Sequence, residues 1–282
     1  MTSVHESSVC TVGLQPAQHI TTTSSARRER KSALKAEYQQ KLDTLKAELD
    51  KLRPLRPEHV AALKDYFKIG LTYTSNALEG NSLTETETKI VIEDGLTIGG
   101  KPLKDHLEAI GHADAYDFML SLASQRKLTE RHILQLHRLF YRRIDEKEAG
   151  RYRSVPVFIT GSRHLPPAPA QVPIRMRTFC KTVPAKRKQL HPVDFAAWLH
   201  FRVVDIHPFV DGNGRTARLI MNVVLLQDGY PVVIIPPILR REYIDTLESC
   251  HGMKKEPEPF FNFIARAAIE SLRDYLRLLR SG

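Results

Sequence analysis

Apolar residues recur every three or four positions over most of the chain, the spacing that builds one greasy face on an α-helix. Between 26 and 53, Leu34, Tyr38, Leu42, Leu45, Leu49 and Leu52 follow one another at spacings of 4, 4, 3, 4 and 3, a narrow stripe on a charged rod. The stripe is too short for a sustained coiled coil, so it predicts a helix packed along a neighbour, with a dimerising or partner-docking helix as the alternative. Pro54 and Pro57 stop that helix, because proline lacks the amide N–H and disfavours helical geometry in the residue before it. A second helix is predicted over 58–78, ending at Glu79-Gly80-Asn81. Thr84-Glu-Thr-Glu87 has the spacing of a capping box and opens a helix that runs to about 93 and closes at Gly95. After a turn at Gly99-Gly100-Lys-Pro102, a long amphipathic helix reaches about 125, and Thr129 opens another with Ile133, Leu136, Leu139 and Phe140 on one face.

The helical rhythm breaks between 150 and 173. Gly150-Arg-Tyr-Arg-Ser-Val-Pro-Val-Phe-Ile-Thr-Gly161 is β-prone, and Pro166, Pro167 and Pro169 crowd the segment after it, which together predict a short β-hairpin or flap. Helices resume over 172–188, 193–206 and 215–228, an extended piece covers 230–236, and the C-terminal 40 or so residues are helical again. No period of 20–50 residues repeats. The fold class is therefore all-α with one small β element.

Composition adds limits. With 282 residues the chain is long enough for one or two self-sufficient domains. Residues 1–25 are rich in Ser, Thr, His and Gln without apolar periodicity and are expected to form a disordered leader. Cys10, Cys180 and Cys250 form no Cys-x-x-Cys pair, which argues against a disulfide framework and a cysteine zinc site. No apolar run is long enough to cross a membrane, and the N-terminus lacks the pattern of a secretory signal, so a cytoplasmic location is expected. The net charge of +10 permits an acidic partner such as a nucleotide. The basic run Arg175, Arg177, Lys181, Lys186, Arg187 and Lys188 reads as a solvated helix face, and no zinc-finger spacing or stacking aromatics support nucleic-acid binding. His106/His112 and His132/His137 are not four apart, the spacing that puts two ligands on one helix face, so they are read as structural or exposed.

Chemistry concentrates in His207-Pro-Phe-Val-Asp-Gly-Asn-Gly-Arg-Thr-Ala-Arg218. A helix runs into His207, Pro208 turns the chain, and Gly212-Asn213-Gly214 leads into the next helix. Glycines admit close approach of a ligand, and a helix N-terminus offers free N–H groups and partial positive charge, a nest for an anion. Arg215 and Arg218, three apart, can face the same anion. Asp211 is a hard oxygen ligand beside a phosphate site, where Mg²⁺ is normally held. His207 is the group here able to accept a proton near neutral pH. Gly212 to Ala217 also fits the Gly-x-Gly-x-x-Ala dinucleotide fingerprint, but that fingerprint must follow a β-strand, and 195–205 reads as helix.

Residues 207–218 match position by position His-x-Phe-x-Asp/Glu-Gly-Asn-Gly-Arg-x-x-Arg, so the chain resembles Fic-domain proteins over about 57–275. The resemblance implies a helical domain with a β-hairpin flap that transfers AMP from Mg²⁺-ATP to a Ser, Thr or Tyr hydroxyl of a target protein, or of itself. It implies His207 as the base and Asp211 as the Mg²⁺ ligand. Gly212, Asn213 and Gly214, with Thr216 and Ala217 in the same turn, would lie against the nucleotide, and Arg215 and Arg218 would bind its outer phosphates. Phe158, Ile159, Thr160 and Gly161 stand where the flap pins the target by strand addition. Tyr243 stands where a ring lines the adenine pocket, and His251 where many relatives carry an Asn. Ser75-Asn-Ala-Leu-Glu79-Gly80 resembles the family's inhibitory motif Ser/Thr-x-x-x-Glu-Gly/Asn, which implies that Glu79 pairs with Arg218 in place of the γ-phosphate. The same glutamate aligns a water for removing AMP in some relatives, and relatives often form homodimers. The expected organisation is then a leader (1–25), a charged helix and linker (26–56), an inhibitory helix region (57–98), a Fic core with flap and motif (99–235) and C-terminal helices (236–282). The competing reading is an interaction protein using the 26–53 helix and the basic run, with the nucleotide pocket only regulatory. Transfer of another phosphate-linked group on the same fold is a third.

Overall fold

Ten α-helices account for most of the computed structural model, which describes residues 22–251 and 256–281. They are α1 (Thr22–Lys51), α2 (Pro57–Ala77), α3 (Glu85–Lys89), α4 (Leu103–Ser121), α5 (Glu130–Tyr141), α6 (Val172–Gln189), α7 (Pro192–Ile206), α8 (Asn213–Gln227), α9 (Arg240–His251) and α10 (Glu258–Ser281). Their starts follow the expected chemistry. Thr84 caps α3 with the reciprocal Glu87 bond of a capping box, and Thr129 Oγ1 accepts the His132 N–H at the start of α5. The α3 helix continues as a π-turn over Ile90–Asp94 and ends at Gly95, whose φ of 68° only glycine adopts cheaply.

The core lies where α7 and α8 pack side by side. Phe195, Leu199 and Val203 of α7 and Leu219, Ile220, Val223 and Val224 of α8 are all sealed from solvent. Each large side chain so buried contributes about 1.5–3 kcal/mol against exposure. α10 covers α7 from the other side with Phe260, Ile264 and Leu272. α1 lies along α10 and buries Leu42 and Leu49 there, so the apolar stripe serves the fold itself, as a helix packed on a neighbour. Lys35 and Gln39 of α1 also reach the Asp194 carboxylate at the start of α7, at 2.8 and 2.9 Å.

Two expectations are corrected. The 150–168 segment is an irregular loop without strand pairing, not a β-hairpin. Its bonds through Arg153 run within the loop and to the turn after α7. The buried Arg153 donates to the carbonyls of His207, Val155 and Pro167, and its own N–H donates to Pro208 O. A guanidinium gathering carbonyls takes the place of a cross-strand ladder, and the prolines remove donors a ladder needs. The long fourth helix ends at Ser121, four residues short of 125, where Leu122 to Ser124 turn. As for the leader, 1–21 lie outside the described residues and α1 already begins at Thr22. No described helix is long and apolar enough to cross a membrane.

Candidate active site

α7 ends on His207, which takes a left-handed backbone (φ 50°, ψ 60°) and donates its N–H to Val203 O. That conformation is uncommon outside glycine and turns the chain sharply into the motif loop. The His207 ring donates from Nδ1 to Val204 O at 3.3 Å, leaving the Nε2 lone pair without a hydrogen bond among the described residues. Burial pushes its pKa down to about 4, against the carbonyl bond that raises it, and the Glu79 charge also reaches it. The ring is therefore neutral at physiological pH and available as a base.

The loop is held in shape from inside. Asn213, buried, accepts from Phe209 N and donates to Phe209 O, both at 2.9 Å. Phe209 stacks on His137 with ring centroids 3.7 Å apart. His137 accepts from Gly150 N at Nδ1 and donates from Nε2 to Asp211 O, which fixes its tautomer, and burial lowers its pKa to about 4. Gly212 is the N-cap of α8, with φ 76° and no side chain to cap the first turn. The N–H groups opening α8 are thus left for another acceptor.

Glu79, just past α2, occupies that ground. Its Oε1 lies 2.7 Å from Arg218 Nη2, and a Cβ placed on Gly214 would collide with the same oxygen. Burial works to raise the Glu79 carboxyl, but the Arg218 and Arg215 charges and the Arg218 hydrogen bond outweigh it and hold it ionised below its ordinary range. Arg218 is itself wholly enclosed. Nε donates to Ser75 Oγ at 2.9 Å, Nη2 also to Ser75 O at 2.8 Å, and Nη1 to the Tyr243 hydroxyl at 3.2 Å. The Tyr243 hydroxyl in turn donates to His200 Nε2 at 2.9 Å.

Arg215 lies over the Phe140 ring at 4.4 Å and pairs with Glu108 at 2.8 Å, while Asp211 Oδ1 stands 3.4 Å from it. Glu108 also accepts from Asn81, so the residue after the Glu79-Gly80 turn is tied to the arginine of the motif. Asp211 is partly exposed, its Oδ1 pinned by the Gly212 N–H at 2.6 Å and its Oδ2 facing Lys104 at 3.9 Å.

His207, Asp211, Gly212, Gly214, Arg215, Arg218 and Glu79 thus converge on the start of α8. Others sit differently from expectation. Thr216 and Ala217 are fully buried and present no side chain to a ligand, because they fall on the core face of α8. The Asn213 amide is spent on Phe209, so the nest around it is main chain. Tyr243 is buried beneath Arg218 rather than open to a ligand. His251 stacks on His164 and pairs with Asp205, away from Arg218. Phe158, Ile159, Thr160 and Gly161 lie in the irregular loop, with Phe158 84% exposed. Glu108, Arg153, His137 and His200 carried no signal in the sequence as parts of a site.

The Fic/DOC family model matches residues 127–225, from the end of the turn before α5 through nearly all of α8. A protein adenylyltransferase Fic from Nematostella vectensis is 37% identical over 246 residues, 84% of this chain and 56% of that protein. One of the same description from Drosophila erecta is 35% identical over 84% of this chain and 48% of its own length. The chain thus spans about half the length of these relatives. Fic-1 of C. elegans shares the architecture with a TM-score of 0.81 at 26% identity, over 94% of this chain and 79% of that one. A Fic domain containing signaling protein from Bacteroides thetaiotaomicron superposes with a TM-score of 0.78 at 31% identity, over 86% of this chain. Since that match also takes in 97% of the bacterial protein, this chain belongs to the Fic/DOC family.

Proposed function

We propose that this chain is a protein adenylyltransferase whose active site is blocked at rest by its own Glu79. The observation that carries this reading is Glu79 on Arg218, at the uncapped start of α8, beside a neutral histidine with a free Nε2. The printed descriptions of its relatives support the reaction class. ATP binds with its outer phosphates on the α8 N–H groups and on Arg215 and Arg218, where charge-assisted bonds are strongest. The hydroxyl oxygen of a Ser, Thr or Tyr side chain attacks the α-phosphorus, and its proton passes to His207 Nε2. The bond from that phosphorus to the bridging oxygen breaks, and pyrophosphate leaves. A base of this kind supplies about 10²–10⁴-fold.

Asp211 fits Mg²⁺, being a partly exposed carboxylate pinned at one oxygen and met at the other only by the loose Lys104 pair at 3.9 Å, with the phosphate ground next to it. When bound, the ion neutralises charge building on the leaving phosphates. The exposed 158–161 stretch serves as the edge on which a target backbone lies down, forming its pairing only when the target arrives. The basic run of α6 stays outside this reaction, since its members either face solvent or, like Arg187, pair with Asp228 at 3.2 Å.

The test uses Glu79→Gly chain, where the block is gone, with and without His207→Ala. ATP labelled at the α-phosphate and a cell lysate are supplied, and label on protein is followed by mass shift. Label in the single variant that disappears in the double variant is expected. Equal label in both sinks the assignment.

A further inference from the structure

Away from the phosphate ground, three ligand-type side chains from three parts of the fold meet at the rear of the flap loop. His164 comes from that loop, Asp205 from the last turn of α7, and His251 is the last residue of α9. Asp205 Oδ1 lies 3.4 Å from His251 Nδ1 and 3.8 Å from His164 Nε2, and the three atoms fall within 4.8 Å of one another. Bonds of about 2.0–2.1 Å in a tetrahedral zinc site place neighbouring ligand atoms about 3.3–3.4 Å apart, so one pair already has that spacing and the others need a small turn of the His164 ring. That ring now donates from Nε2 to the Asp205 carbonyl at 2.8 Å, a bond it exchanges for a metal.

Three further features favour a cation here. Both α7 and α9 end at the cluster, and helix C-termini carry partial negative charge. Asp205 Oδ2 is already held by Arg202 at 2.7 Å, the outer support that fixes a ligating carboxylate. A cavity of about 400 Å³ lined by all three residues leaves room for the ion and a water.

The geometry points to a second cation site in which His164, Asp205 and His251 hold a divalent ion of the zinc class. It clamps the flap loop to α9 two residues before His207. Ser162 and Arg163 already anchor this loop to Glu248 of α9, so the ion closes a contact that exists in part. The assignment stands on this cluster alone and not on the transferase reading.

The test is zinc titration of the dialysed, untagged full-length chain at neutral pH, read by bound metal per chain and by limited proteolysis after Arg163. The same titration is run on His207→Ala, so zinc held by the phosphate-site residues is not counted. One zinc per chain is expected in both, with cleavage slowed by the metal. His164→Gln, a loop substitution that leaves the core untouched, and His251→Gln are each expected to weaken binding at least about tenfold and to abolish the protection. Failure to bind zinc, binding lost in His207→Ala, or binding unchanged in both glutamine variants overturns the site.

Discussion

Arg218 Nη2 meets two acceptors of the same segment at once, the Ser75 carbonyl at 2.8 Å and Glu79 Oε1 at 2.7 Å. The last turn of α2 therefore binds the arginine by its backbone, and only the carboxylate of Glu79 occupies the space against Gly214. Removing the carboxylate leaves the guanidinium aimed by Ser75 and Tyr243.

Glu79→Gly is expected to tighten ATP and raise transfer. A charge-assisted bond contributes about 1.5–3 kcal/mol, and Glu79 keeps 35% of its side chain exposed, so solvent screening favours the lower end. That is roughly tenfold in affinity. Calorimetric titration with ATP checks it, and an unchanged affinity refutes the competition between Glu79 and phosphate.

Asp211→Asn keeps the shape of the loop and removes the anionic ligand. In the Glu79→Gly background, transfer is expected to fall about a hundredfold or more at saturating Mg²⁺, as several kcal/mol of charge neutralisation is lost. Nucleotide binding without Mg²⁺ changes little. A Mg²⁺ titration of label transfer separates the two, and full activity in the variant removes Asp211 from the metal.

Asn213→Ala tests the loop from within. Truncation strands the Phe209 N–H and C=O, both in a buried loop, and each unsatisfied group costs about 1–3 kcal/mol. Chemical denaturation is expected to show about 2–6 kcal/mol less stability with an unchanged slope. Wild-type stability means the amide serves the ligand instead.

Acid acts through buried imidazoles. Burial holds His112 at about 3 and His137 at about 4, against an ordinary 6.5. Below 6.5 the unfolded chain takes up protons that the folded chain refuses until about 4, so stability falls as pH drops through that window. Each group contributes up to about 1.4 kcal/mol per pH unit. The melting temperature is expected to fall steadily from pH 6.5 to 4.5. His137→Gln, which keeps an amide able to meet Gly150 and Asp211, is expected to flatten the slope, and an unaltered slope removes His137 as its source.

Local signals in the chain were read well where one short segment holds all the determinants. The box at Thr84 and Glu87, the cap at Thr129 and the stop at Pro54 each need only neighbours within a few residues. The 207–218 motif was legible for the same reason, its glycines, arginines and carboxylate lying within about three turns. The flap failed because β propensity in 150–161 describes a preference without a partner, and the partners that won are carbonyls gathered by Arg153 from both ends of its own loop and from His207.

By itself the sequence determined the helices and the glycine turn that gathers His207, Asp211 and the two arginines into one segment, because these depend on periodicity and on bonds closed within a turn or two. Only the tertiary structure decided that Arg218 is shared by Ser75, Glu79 and Tyr243, that the Asn213 amide is spent on Phe209, and that His164, Asp205 and His251 meet. Those pairings join residues up to 143 apart in the chain, and what brings them together is the burial of α7 and α8 against their neighbours, a free energy spread over dozens of side chains that no local pattern records.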